Sequence, residues 1–247
     1  MILPQILIVD DEPDTCDNLS DIFTDLGYAV DIAHEGFTAL DLVSKKHYDV
    51  ALLDLKMPGM DGLELYRRLR QISAGTVAIV VTAYASSSTA NEVLKAGAWR
   101  ILSKPVDFGS LRSIVEQAVE QPLVLLVDDD HELCDSLWDL FRERAYRVSV
   151  AHDVPSAQRL LQTAKYQVVL IDMKLPHGSG ADVLHSVQQS NPQAGTVLIT
   201  GYLSDSEQLV SQSLGEGANA VCYKPFNMDQ LLDTVRELTG RSDSRPS

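Results

Sequence analysis

The chain repeats itself. Residues Ile6 to Glu12 (ILIVDDE) return as Leu125 to Asp130 (LLVDDD), displaced by 118 positions in a chain of 247. At the same displacement Cys16 meets Cys134, Phe23 meets Phe141, Tyr28 meets Tyr146 and His34 meets His152. The agreement runs on through Tyr48 and Tyr166, Asp54 and Asp172, Lys56 and Lys174, Pro58 and Pro176, Gly62 and Gly180, and Thr82 and Thr200. The register then slips by two, so that Lys104-Pro105 corresponds to Lys224-Pro225. A repeat unit of roughly 120 residues is the size of one ordinary domain, so the chain reads as two copies of one fold.

Within each copy, short β-rich apolar runs alternate with amphipathic helical stretches. In the first copy the expected strands are Gln5 to Asp10, Ala29 to Ala33, Val50 to Asp54, Val77 to Val81 and Arg100 to Ser103. Runs such as VALLDL and VAIVV are apolar throughout, as parallel strands covered on both faces require, and parallel neighbours need crossovers of helical length. Five strands alternating with five helices predict a doubly wound α/β domain, twice. Asp14, Asp61 and Asp107 are the expected start signals of the first, third and fifth helices. Pro122 breaks the last helix of copy one at about Gln121, and Leu123 already opens the next strand, so the expected domains are 1–121 and 122–240. The polar stretch 241–247 has nothing to bury and is expected to fray.

The remaining composition narrows the function classes. A formal charge of −15 repels phosphate backbones and anionic lipid, and the clusters Lys45-Lys46 and Arg67-Arg68 sit on expected solvated helix faces, so direct nucleic-acid binding is not expected. Cys16, Cys134 and Cys222 show no metal or disulfide spacing, and the paired Cys16 and Cys134 read as buried helix packing. The start lacks a basic leader, and no window offers the roughly 18 apolar residues of a membrane span. The expectation is a soluble, cytoplasmic protein without membrane contact.

In an open parallel sheet, ligands bind outside the carboxyl ends of the strands, where the strand order reverses. The polar residues of this chain gather at those ends: Asp10 and Asp11 after the first strand, Asp54 after the third, Thr82 after the fourth, Lys104 after the fifth. The second copy repeats them as Asp128, Asp129, Asp172, Thr200 and Lys224. Three neighbouring carboxylates repel, and one lysine cannot neutralise them. A hard divalent cation completes the balance, and oxygen ligands of this kind suit Mg²⁺. An Asp pair after a strand can be a mere helix cap, but the recurrence of the whole set in both copies weighs against that.

Each half resembles the receiver domain of two-component response regulators. The resemblance rests on Asp-Asp after the first strand, an Asp followed by Pro four and Gly eight residues later, Thr after the fourth strand, and Lys-Pro after the fifth. It implies two flavodoxin-like doubly wound domains, each a five-stranded parallel sheet with five helices. It further implies that Asp54 and Asp172 accept a phosphoryl group from phosphohistidine on a sensor histidine kinase or a histidine phosphotransfer protein, with each domain assisting its own phosphorylation and dephosphorylation. Asp11, Asp54 and the carbonyl of Lys56 would hold Mg²⁺, for which Mn²⁺ can substitute, with Asp10 helping through water. Asp129, Asp172, the carbonyl of Lys174 and Asp128 would do so in the second copy. Thr82 and Lys104, with Thr200 and Lys224, would complete the catalytic sets. A homodimer is a further arrangement such proteins allow, and the Lys-Pro bond resembles a cis peptide of the family. No output domain is expected in the chain. The alternatives are the regulatory part of a longer effector, such as a nucleotide cyclase or histidine kinase, and a pseudo-receiver pair that only binds partners.

Two departures qualify the resemblance. Many receivers carry an aromatic residue three before the site lysine, where this chain has Ile101 and Val221, so the usual aromatic readout is not expected; Trp99 and Tyr223 read as partly exposed packing residues. Lys56 with Tyr84, and Lys174 with Tyr202, stand two residues after the acceptor Asp and the Thr, and their bulk predicts slow self-dephosphorylation. His34 and His152 read as loop or packing residues. A flavin carrier would want a phosphate-cradling loop where this chain places acids, and an aspartate phosphatase a second Asp where Lys56 and Lys174 stand.

Overall fold

The computed structural model describes residues 3–83, 87–176, 178–201, 215 and 217–240. The chain divides into two compact units, Met1–Gln121 and Pro122–Ser247. In the first, β1 (Gln5–Val9), α1 (Pro13–Asp25), β2 (Ala29–Ala33), α2 (Gly36–Lys45), β3 (Val50–Leu53), α3 (Gly62–Ile72), β4 (Val77–Thr82), α4 (Ser87–Ala96), β5 (Arg100–Ser103) and α5 (Phe108–Glu120) alternate strictly. The sheet order is β2-β1-β3-β4-β5, and every pairing is parallel.

The second unit contains β6 (Leu123–Val127), α6 (His131–Arg142), β7 (Arg147–Ala151), α7 (Val154–Thr163), β8 (Val168–Asp172), α8 (Gly180–Ser190), β11 (Gly195–Thr200), β12 (Ala220–Tyr223) and α9 (Met228–Leu238). Its sheet, β7-β6-β8-β11-β12, is parallel throughout and repeats the order of the first. One element was not expected: β9 (Lys174–Leu175) pairs antiparallel with β10 (Gly178–Ser179) in the loop that leaves β8. Tyr84, Tyr202 and the tail 241–247 lie outside the described residues.

The apolar runs do what a doubly covered sheet demands. Successive strand residues point to opposite faces, so Leu7, Val9, Ala51, Leu53 and Val80 join Leu65 and Leu69 of α3 in one core. Ile6, Ile8, Leu52, Ile79 and Val81 meet Phe23 of α1 and Leu111 and Val115 of α5 in the other. Each Val, Leu, Ile or Phe side chain so buried contributes about 1.5–3 kcal/mol toward ordering the chain. The second unit repeats the first layer with Leu125, Val127, Ile171 and Leu198 against Val183 and Val187 of α8.

Helix starts follow the acidic signals with one correction. Asp61 accepts from the Glu64 N–H and Asp107 from the Ser110 N–H, both at 2.8 Å, which satisfies amides that a helix start otherwise leaves unpaired. Asp14, expected to precede α1, lies instead in its first turn. Glu12 is the N-cap, and Pro13 takes the first helical position, where the missing N–H costs nothing.

Candidate functional site

Strand order reverses between β1 and β3, since the chain moves from β1 to β2 on one side and then to β3 on the other. That reversal opens a crevice at the carboxyl ends. Val9 stands level with Leu53, so the residues that follow them emerge side by side. Both strands stop one residue sooner than expected: Asp10 and Asp54 lie just past the regular pairing. Each is still tied to it, the Asp10 N–H by the Ala33 carbonyl at 3.2 Å and the Asp54 N–H by the Val9 carbonyl at 2.9 Å. Thr82 is the last residue of β4, and its carbonyl takes the Lys104 N–H at 2.9 Å, which brings the fifth strand's lysine into the same crevice.

The side chains converge accordingly. Asp10, Asp11 and Asp54 each present a carboxylate oxygen, all within 4.8 Å of one another, with Asp10 and Asp54 buried and Asp11 exposed; Asp128, Asp129 and Asp172 repeat this in the second unit. Each triad could hold a metal ion. The Lys104 ammonium donates to Asp10 Oδ2 at 2.6 Å and Asp54 Oδ2 at 2.9 Å, and Lys224 donates to Asp128 Oδ2 and Asp172 Oδ2, both at 2.7 Å. The other Asp54 oxygen accepts the Lys56 N–H at 3.2 Å, and that of Asp172 the Lys174 N–H at 2.8 Å. The side chains of both residues after this point, Lys56 and Lys174, are exposed. Thr82 and Thr200 are 0% and 1% exposed. The Lys104-Pro105 and Lys224-Pro225 bonds are both cis.

Burial and charge pull against each other here. Burial disfavours the charge on Lys104, but its hydrogen bonds to Asp10 and then Asp54 outweigh that, and the ammonium titrates above the ordinary lysine value; the same balance, with Asp128 and Asp172, raises Lys224. Burial pushes Asp128 above the usual carboxylate range, against the hydrogen bond from Lys224, and the neighbouring Asp172 charge adds to the rise. One ammonium therefore leaves each acid cluster short of positive charge. That is the condition in which a bound dication is accommodated.

The glycine of the motif has a steric cause. A Cβ on Gly62 would lie 2.1 Å from the Asp54 carbonyl oxygen, and one on Gly180 2.6 Å from that of Asp172. Helices α3 and α8 thus start in contact with the backbone of Asp54 and Asp172, and only a residue without a side chain fits. The residues that replace the family's aromatic pack inward: Ile101 against the same core as Val80, and Val221 against that of Leu198. Trp99 packs on the opposite core, while Tyr223 is 42% exposed.

Sequence reasoning missed a backing for the acid pair. The Asp10 carbonyl is met by the Cys16 thiol at 3.3 Å and by His34 Nδ1 at 3.2 Å; the Asp128 carbonyl is met by Cys134 at 3.5 Å and His152 Nδ1 at 2.9 Å. The recurrence of both residue types at one displacement was the available signal. Burial pushes the thiols up, Cys16 to about 11 and Cys134 to about 12, with the nearby Asp10 and Asp128 charges adding, so both stay protonated donors at neutral pH.

A doubly wound parallel sheet with an acidic, lysine-countered pocket at its switch point, present twice, defines a tandem α/β protein with two equivalent acid sites. The sequence matches the response regulator receiver domain over residues 6–116 and again over 124–236. It is 33% identical over 232 residues to a response regulator receiver protein of Anaeromyxobacter sp. (strain Fw109-5), covering 94% of each chain. It is 37% identical over 117 residues to sporulation initiation phosphotransferase F of Bacillus subtilis (strain 168), covering 47% of this chain and 94% of that protein. Among solved structures, a CheY-like receiver domain protein from Methanospirillum hungatei JF-1 covers 48% of this chain and 95% of its own, with 33% identity and a TM-score of 0.47. The chain belongs to the response regulator receiver domain family, which it represents with two receiver domains of two-component signalling.

Proposed function

We propose that Asp54 and Asp172 are phosphoacceptors, each taking a phosphoryl group from phosphohistidine on a histidine kinase or histidine phosphotransfer protein, in receiver domains spanning 1–121 and 122–240. The observation that carries this reading is the lysine bridge. In each unit one ammonium spans two buried carboxylates with a third acid within 4.8 Å, a charge pattern suited to binding a dianionic group beside a cation.

In the transfer step an Asp54 carboxylate oxygen attacks phosphorus in line. The O–P bond forms as the P–N bond of the donor breaks, and that electron pair returns to the imidazole. Lys104 loses its hold on Asp54 and pairs with a phosphoryl oxygen, and the Thr82 hydroxyl donates to another, so both groups stabilise the transferring charge. Mg²⁺ at Asp11, Asp54 and the Lys56 carbonyl, with Asp10 behind, would neutralise the equatorial oxygens; Mn²⁺ offers the same octahedral oxygen chemistry. Thr200, Lys224, Asp128, Asp129 and the Lys174 carbonyl take these roles in the second unit. The exposed Lys56 and Lys174 side chains flank the approach of an attacking water, which supports slow self-dephosphorylation. No helix among the described residues is long and apolar enough to cross a membrane.

The test is incubation of the chain with acetyl phosphate and Mg²⁺, read by intact mass, on wild type, Asp54→Asn and Asp172→Asn. Two phosphoryl additions in wild type, one in each variant and none in EDTA are expected. A mass unchanged under every condition, including with a phosphorylated histidine phosphotransfer protein as donor, would favour a pair that binds partners without phosphorylation.

A further inference from the structure

The geometry points to His34 and His152 as positioning residues: each imidazole, working with the thiol behind it, clamps the peptide between the two adjacent acids and so sets the cation affinity of its pocket. This rests on the metal-dependent phosphoacceptor reading above and adds to it a residue outside the acid, threonine and lysine set.

The argument starts at the end of β1. The regular β1–β2 pairing ends with the Asp10 N–H on the Ala33 carbonyl, after which β2 turns away into the N-cap of α2 at Glu35. The Asp10 carbonyl belongs to the peptide that joins Asp10 to Asp11, so whatever holds that oxygen fixes the plane from which the exposed Asp11 projects. Two side chains hold it, from different elements: Cys16 of α1 at 3.3 Å and His34, just past β2, at 3.2 Å. The second unit builds the same clamp on the Asp128 carbonyl, with Cys134 of α6 at 3.5 Å and His152 at 2.9 Å. A carbonyl oxygen can only accept, so the proton in each imidazole contact sits on Nδ1. Meanwhile the Asp10 side chain is itself occupied, donating nothing and accepting from Lys104 and the Glu12 N–H. The side chain and the carbonyl of the first acid are thus both tethered, and the second acid inherits a fixed origin.

Outer partners of this kind orient metal ligands, and losing one typically weakens metal binding by roughly 10- to 100-fold where the ligand itself is held. Here the clamp acts one peptide away, so a smaller effect is expected, about three- to tenfold. The two units also differ. The His131 ring lies against His152 with centroids 3.7 Å apart, whereas Pro13 occupies the position equivalent to His131 in the first unit. The second imidazole is braced on one face and makes the shorter contact, so the larger loss is expected for His152.

The experiment uses the full chain with one pocket silenced: Asp129→Ala when His34 is tested, Asp11→Ala when His152 is tested. Mg²⁺ titration by calorimetry is run on the histidine, on His→Leu, which keeps the bulk and loses the donor, on His→Asn, whose amide nitrogen matches the reach of Nδ1, and on His→Gln, whose amide lies one bond further. Histidine side-chain ¹⁵N spectra report the tautomer, and melting in EDTA reports any loss of stability without metal. The inference expects Nδ1–H tautomers, a Mg²⁺ Kd raised about three- to tenfold in Leu and Gln, and recovery to within about twofold in Asn, with the EDTA melting temperatures of Leu, Gln and Asn alike. An Nε2–H tautomer, unchanged affinity in Leu, or no recovery in Asn overturns it while leaving the phosphoacceptor reading intact. Failure of the parent chain with both pockets intact to bind Mg²⁺ overturns both.

Discussion

The exposed acid of each pocket offers a sharp test of the crowding argument. Replacing Asp11 and Asp129 by Asn removes one charge from each triad without touching a lysine bridge, because Lys104 and Lys224 bond the other two acids. At 4.8 Å, the upper bound on separation within a triad, one like-charge pair costs about 0.9 kcal/mol in a water-like dielectric and about 3.5 kcal/mol at an effective dielectric near 20. Asp11 faces two such charges, and its attraction to Lys104 offsets one pair at most. The exposed position selects the water-like dielectric and so the smaller energy, and the variant is expected to be about 1 kcal/mol more stable per unit in EDTA at low salt. For units of this size that is a rise of roughly 4 °C in melting temperature. In 1 M NaCl, where the screening length is about 3 Å, the advantage shrinks to a few tenths of a kcal/mol. Mg²⁺ at a hundredfold excess over its Kd adds about 2.7 kcal/mol to wild type, more than the repulsion it offsets, so the order of stabilities inverts when the metal is added. Calorimetric melting of the Asp11→Asn/Asp129→Asn chain, with and without Mg²⁺, reads both signs. A variant less stable than wild type in EDTA, or one that gains as much from Mg²⁺ as wild type does, would refute the reasoning.

Other consequences follow from the same geometry. Gly62→Ala drives a methyl onto the Asp54 carbonyl, so a loss of about 2–4 kcal/mol and of phosphoryl uptake at that unit is expected; a chain that melts at the wild-type temperature would mean the helix start shifts freely. For Asp31, burial opposes the charge, but hydrogen bonds from Lys46 and Tyr48 hold its carboxyl below the ordinary value of 3.8. A lowered carboxylate stabilises the fold above that range and the contribution is lost as pH falls through it. Asp31→Asn should therefore flatten the acid limb of the stability curve near pH 4, by less than about 1 kcal/mol because the pair is partly exposed; denaturant melts across pH 3–6 measure it. If Lys56 shields the acyl phosphate, Lys56→Ala should shorten the half-life of the phosphorylated first unit several-fold in an Asp172→Asn background, followed by intact mass after donor removal; an unchanged half-life assigns the shielding elsewhere.

How far the sequence carried can be judged residue by residue. The strands Ala29–Ala33 and Arg100–Ser103 were legible to the residue because each is bounded by a clear change of pattern. The ends at Asp10 and Asp54 were overrun by one, since an acid that still bonds backward to its neighbour's strand looks extended even where regular pairing has ceased. The acid and threonine sets stood out because they recur at one displacement, and the lysine, two positions further on, because Pro follows it in both copies. The roles of His34 and Cys16 did not: both recur at that displacement too, but a polar side chain reaching a main-chain carbonyl has no periodicity to show what it touches. The β9–β10 hairpin was hidden for a like reason: two residues pairing with two leave no pattern to read.

The sequence alone determined that there are two copies of one doubly covered parallel sheet, and that their polar residues lie at the carboxyl ends of the strands. Alternation and apolar runs are local properties, and a repeat is visible in one dimension. Only the tertiary structure decided which atoms meet: that one ammonium serves two buried acids, that a glycine must sit against a carbonyl, and that a thiol and an imidazole close on the same oxygen. Those contacts join residues as many as 96 positions apart, and such distances close only when the register between strands and the packing of helices are set together.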